Sequence, residues 1–120
     1  MFIEFVAAAT LALAPASADR VERARHHHHP AAHAARTRWQ VVRPYYGKLM
    51  RIASCESGQR WHIATGNGFY GGLQFTVGTW RSVGGRGMPH WHTRLEQMYR
   101  AVRVFLRRGS WADWPVCGYR

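Results

Sequence analysis

Glu56 is the residue of this sequence with the strongest claim to chemistry. Downstream of Pro44 the only carboxylates are Glu56, Glu96 and Asp113. Glu96 closes the motif Thr93-Arg94-Leu95-Glu96, a capping box in which the Thr93 hydroxyl takes the Glu96 amide while the Glu96 carboxylate reaches back, so it has a structural task. Asp113 stands between Trp111 and Trp114 and reads as a hydrogen-bonding partner of the tail. Glu56 follows a cysteine at the close of an apolar stretch, with Trp61, Phe69, Tyr70 and Trp80 as candidates to surround it. Apolar neighbours desolvate a carboxylate and raise its pKa, leaving it protonated near neutral pH. A protonated carboxyl is what a general acid needs to give a proton to a glycosidic oxygen. A salt bridge to Lys48, Arg51 or Arg60 is the opposing expectation, equally weighted on composition alone.

The two cysteines bear on the same place. Cys55 and Cys117 lie 62 residues apart, too far for a redox pair and too few for a zinc site without histidine help. A disulfide is the simplest reading, with two buried free thiols as the alternative. Closing such a loop removes unfolded-chain entropy worth roughly 4 kcal/mol. It would also require an oxidising compartment, and hence export.

These residues must be positioned by local elements. Pro44 can open a helix, and Tyr46, Leu49, Met50, Ile52 and Ala53 fall at helical spacing on one side, with an end expected near Ser57-Gly58. Cys55 and Glu56 would then sit in its last turn. Between Trp61 and Phe75 glycine alternates with aromatic and polar residues around Asn67-Gly68, which predicts a small hairpin or tight loop. Thr76 to Val83 reads as a short helix stopped by Gly84-Gly85, and Gly84 to His92 as a loop. The clearest helix follows the Thr93 cap, with Leu95, Met98, Tyr99, Val102 and Leu106 at three- and four-residue spacing and Gly109 as its C-terminal stop. Its other face, bearing Arg94, Arg100, Arg103, Arg107 and Arg108, is expected to be a solvated basic surface.

In this order and spacing, Cys55-Glu56-Ser57-Gly58, Trp61-His62-Ile63, Thr65 to Phe75, Thr79-Trp80 and the closing Trp111 and Trp114-Pro115-Val116-Cys117 resemble the resuscitation-promoting factor domain. The resemblance runs from about Tyr45 to Cys117. It implies a mainly α (α+β) class: a small lysozyme-like, lytic-transglycosylase-like domain with a short β-hairpin and one disulfide, Cys55 to Cys117. It further implies a secreted enzyme of the bacterial wall that cuts the β-1,4 bond between N-acetylmuramic acid and N-acetylglucosamine in peptidoglycan. Carried over by position, Glu56 is the catalytic acid, Trp61, Gln74, Thr79 and Trp80 line or support the sugar cleft, and Asn67 and Tyr70 shape the turn at its edge. Each has a plainer reading as well: the tryptophans as core aromatics, Gln74 and Thr79 as partners of local backbone. The sequence departs from the family at Gln59-Arg60, where glycine and asparagine are common, and at Ala64, where asparagine is usual. No second carboxylate is evident near Glu56 in sequence to act as nucleophile. Attack by the substrate's own N-acetyl group or 6-hydroxyl, or by a held water, is therefore expected instead.

The chain has 120 residues and a formal charge of +11. Six basic and three acidic residues leave +3 through Pro44, and eleven and three leave +8 beyond it, so the folded part attracts polyanions. Residues 1–18 read as a secretory signal peptide: a short apolar run from Phe5 to Ala14, then Pro15-Ala16-Ser17-Ala18, although Glu4 stands where a cationic stretch is usual. Residues 19–44, rich in Arg, Ala and His, read as a mobile basic linker, and 45–120 as the transglycosylase domain. The run His26 to His29 and the pair His90 and His92 lack the mixed ligands of a metal site, and neither metal nor cofactor is expected. The expected partner is the peptidoglycan glycan strand, with a wall endopeptidase as a candidate second partner, no membrane anchor after signal cleavage, and a monomeric state. A wall-binding module without catalysis is the first rival. A nucleic-acid-binding domain, suggested by arginines and six tryptophans, is the second, and export with a disulfide fits it poorly.

Overall fold

The computed structural model describes residues 29–120, and residues 31–120 form one compact unit. The signal-peptide reading of 1–18 and the first part of the linker, with His26 to His28, lie outside the described residues.

Helix α1 (Pro30–Val42) occupies most of the remaining segment expected to be a linker. The missing apolar periodicity is real, since its only buried residue is Val42. Its helical form rests on alanine- and arginine-rich composition and on outside contacts: Trp39 meets Tyr46 edge-on at 5.6 Å, Arg38 pairs with Glu96, and the Arg38 guanidinium lies over Tyr99. A 3-10 turn (Arg43–Tyr45) carries Pro44 and leads into α2 (Tyr46–Ser57).

Helix α2 buries Leu49, Ile52, Ala53 and Ser57, and ends at Gly58, whose φ of 62° suits a residue with no Cβ. The short α3 (Val77–Ser82) is capped by Thr76, whose hydroxyl accepts from the Thr79 amide. Helix α4 (Arg94–Arg108) opens at Thr93 and closes at Gly109. The Thr93 hydroxyl does accept from the Glu96 amide at 3.2 Å, but the Glu96 carboxylate does not complete the box: it turns to Arg38 and Arg100 instead.

Leu49, Ile52 and Ala53 of α2 meet Met98, Ala101, Val102 and Val104 of α4 in one core with Leu73, Phe75, Trp80 and Trp114. The anticipated hairpin is reduced to two isolated antiparallel bridges, Ala64 with Tyr70 and Tyr70 with Phe75, and no strand forms among the described residues. So many glycines and polar residues between Trp61 and Phe75 make turns rather than a ladder. The fold is therefore mostly helical, small, and closed by the Cys55–Cys117 disulfide, whose Cα atoms lie 5.6 Å apart.

Candidate active site

Glu56 sits in the last turn of α2, half-buried, beside the half of the disulfide supplied by Cys55. Burial raises its pKa from the ordinary 4.5, because desolvation penalises the charged form. Its place at the negative end of the helix dipole acts in the same direction. The competing salt bridge does not form: the ion pairs among the described residues are Arg38–Glu96, Arg100–Glu96 and Arg108–Asp113, and Arg60 donates instead to the Ser57 carbonyl at 2.7 Å. Two of the three side-chain carboxylates beyond Pro44 are thus paired with arginines, and Glu56 alone has no cation beside it among the described residues.

The loop from Trp61 to Phe75 is tied to this helix end. Ser57, next to Glu56, is buried and donates to the Gly72 carbonyl at 2.8 Å. Trp61 lies flat enough on Gly72 that a Cβ there would run into its ring. The Asn67 side-chain Oδ1 accepts from the Phe69 backbone amide at 3.1 Å, an Asx turn that makes the loop tip. Tyr70 exchanges two 2.9 Å backbone hydrogen bonds with Phe75. Gln74 adopts φ 54°, unusual for a residue with a Cβ, and its side-chain amide donates to the Gly71 carbonyl at 3.0 Å. Trp61, Tyr70 and Gln74 therefore belong to one cross-linked loop fastened to the neighbour of Glu56.

Thr79 and Trp80 stand on α3, which follows that loop. The Thr79 hydroxyl is hydrogen-bonded to Thr76 at 3.0 Å, and Thr79 lines a concavity of about 530 Å3 with Arg107, Arg108 and Asp113. Trp80 has no exposed surface: its ring meets Phe75 at 5.2 Å, and its indole N–H donates to the Arg86 carbonyl. Of the two readings of Trp80, its full burial fits the core aromatic, which supports the loop from beneath.

Two polar residues that the sequence reading passed over organise the site. Ser57 is one. The other is Gln97 of α4, fully buried, which accepts from the Gly72 amide at 2.9 Å and donates to the carbonyls of Trp61 at 2.8 Å and His92 at 2.9 Å. Its signal was positional: Gln97, Ala101 and Val104 share the buried face of α4 at spacings of four and three. An aromatic ledge also escaped notice. Tyr70 stacks on His90 at 5.4 Å, His90 adjoins Trp91, and the His62 ring contacts the His90 carbonyl at 2.8 Å.

Among the described residues no group of three or more His, Cys, Asp or Glu side chains is arranged to hold a metal. The arrangement offers one proton donor, on a rigid helix end, next to a loop of aromatic and amide groups suited to sugars.

A family model described as transglycosylase-like domain matches residues 44–117. The chain is 47% identical over 70 residues to the resuscitation-promoting factor Rpf of Micrococcus luteus, covering 58% of this chain and 31% of that protein. It is 55% identical over 69 residues to RpfE of Mycobacterium tuberculosis, covering 58% and 40%, and 49% identical over 67 residues to RpfC from the same species, covering 56% and 47%. It therefore spans less than half the length of these relatives. With the matching segment running from the turn before α2 to the closing cysteine, and enclosing Glu56 and its loop, the chain belongs to the transglycosylase-like domain family and, within it, to the resuscitation-promoting factors.

Proposed function

We propose that this domain cleaves the glycan strand of peptidoglycan between N-acetylmuramic acid and N-acetylglucosamine, with Glu56 as the general acid. The observation that carries this reading is the state of Glu56: a half-buried carboxyl with raised pKa and no ion-pair partner among the described residues, at a helix end fastened to an aromatic loop. A carboxyl kept un-ionised gives its proton to the glycosidic oxygen as the bond to the leaving sugar breaks. The other two side-chain carboxylates of the described residues are engaged by arginines, so these residues supply no free second carboxylate side chain as nucleophile. The muramic 6-hydroxyl is then the attacking group: its oxygen bonds to the anomeric carbon, the Glu56 carboxylate takes its proton, and a 1,6-anhydro end results. Trp61, Gln74 and Tyr70 would hold the sugars, with Asn67 fixing the loop tip and Thr79 extending the cleft on α3.

Work in the wall outside the cell, in growth resuscitation or remodelling, fits three features. The disulfide needs an oxidising compartment, the surface is strongly cationic, and no helix of the described residues is long and apolar enough to cross a membrane. A wall endopeptidase is a partner consistent with this setting. Mass spectrometry of purified peptidoglycan after digestion tests the reaction: anhydromuramic ends are expected, whereas reducing ends alone would replace the 6-hydroxyl by water as the nucleophile.

A further inference from the structure

A second concavity, of about 670 Å3, opens between α1, the loop before Thr93 and the start of α4, and shares no lining with Glu56 or its loop. Its charged lining is Arg38, Arg86 and Arg100 against Glu96 alone. Arg100 reaches the carboxylate through two nitrogens at 2.8 Å, Arg38 pairs with its other oxygen, and both guanidinium carbons stand 5.1 Å from the centre of the Tyr99 ring. One carboxylate and one π-face thus hold two like charges together, and the cluster keeps a net positive charge. Arg86 adds another, since its side chain makes no hydrogen bond or ion pair among the described residues.

The loop bearing Arg86 is firmly set. Its carbonyl accepts from the Trp80 indole at 3.1 Å and contacts the His92 ring at 2.6 Å, and the Trp91 ring lies close over Gly87. Trp91 nevertheless leaves 69% of its surface open at the rim of the concavity. Guanidinium forks match phosphate oxygens, and an open indole face takes the C–H face of a sugar ring or another flat group.

We propose that this concavity binds a phosphorylated saccharide, with Arg86 and Arg38 facing the phosphate and Trp91 the sugar, while Arg100, its nitrogens bound to Glu96 and to the Val83 carbonyl at 2.7 Å, adds positive charge to the wall. The choice of a saccharide over another phosphorylated group rests on the wall-glycan reading of the domain. Arg38 comes from α1, outside the segment that matches the family, so the site draws on a part of this chain that the family match does not include.

Calorimetric titration of the full chain with glucose 1-phosphate, glucose, inorganic phosphate and adenosine monophosphate tests it. Glucose 1-phosphate is expected to bind about tenfold more tightly than glucose or phosphate, and Arg86→Gln and Trp91→Ala each to weaken it about fivefold. Both variants should keep the wild-type circular dichroism, and Arg86→Gln the wild-type rate of peptidoglycan digestion. Equal affinity for glucose 1-phosphate and inorganic phosphate would reduce the site to a plain cationic patch, and tighter binding of adenosine monophosphate would make it a nucleotide site. Either result overturns the proposal, as does the absence of saturable binding. Glucose 1-phosphate binding by a chain that cuts no peptidoglycan would sink the catalytic reading and leave this one standing.

Discussion

Replacing Gln97 by leucine should cost the domain a substantial part of its stability and loosen the loop tied to the helix end that carries Glu56. The side chain has no exposed surface and makes three hydrogen bonds, to the Gly72 amide and to the Trp61 and His92 carbonyls. Leucine keeps most of the volume and removes all three. The buried Gly72 amide is then left without a partner at a cost of about 1–3 kcal/mol, and the two carbonyls, in part-buried hydrogen bonds that water can replace, add about 1 kcal/mol each at most. The total of about 1–5 kcal/mol compares with a whole stability of about 5–13 kcal/mol for a unit of this size. With a urea slope of about 1.5 kcal/mol per molar, the unfolding midpoint should fall by roughly 0.7–3 M. Urea denaturation followed by tryptophan fluorescence measures this. A shift corresponding to less than about 1 kcal/mol would mean that the three backbone groups find other partners, and the role given to Gln97 would be refuted.

Reduction of Cys55–Cys117, or its replacement by two serines, should lower stability by about 2–4 kcal/mol, read as a lower urea midpoint in reductant. Gly72→Ala drives a methyl group into the Trp61 ring, and a loss of about 1–3 kcal/mol in thermal or urea unfolding is expected. Because the Glu56 pKa is raised in the folded state, the native chain holds this proton at pH values where the unfolded chain has lost it. Its contribution is therefore fully present below about pH 4.5 and is lost as pH rises through the folded value, and Glu56→Gln should flatten that part of a stability-against-pH curve. Cleavage should decline over the same rise, since the acid must be protonated to act.

The parts legible in the sequence are those governed by local rules. Thr93 and Gly109 bracket α4, Ser57-Gly58 closes α2, and Thr76 caps α3, because caps and left-handed stops depend on a few adjacent residues. Helix α1 was not legible: it buries only Val42, and it is held by Trp39 on Tyr46 of the next helix and by Arg38 on Glu96 of α4, contacts outside its own pattern. The same pull of Arg38 and Arg100 on Glu96 broke the back half of the capping box. At the site, Glu56 stood out by elimination of the other carboxylates, whereas Gln97 looked like one more polar residue in an amphipathic pattern. Trp80 illustrates a different limit, since a tryptophan in a core and one in a cleft look alike until burial is known. The family's common glycine after Gly58 has a local explanation too: Gln59 holds φ 61°, a conformation that glycine adopts without strain.

The measurement that bears most directly on the central claim is digestion of purified peptidoglycan by the wild type and by Glu56→Gln, with products identified by mass spectrometry and wall binding measured alongside. The Glu56→Gln chain should fold, bind the wall and release no glycan fragments, while the wild type releases fragments ending in anhydromuramic acid. Lysis by Glu56→Gln at a rate near that of the wild type would contradict the assignment of the catalytic proton to this residue.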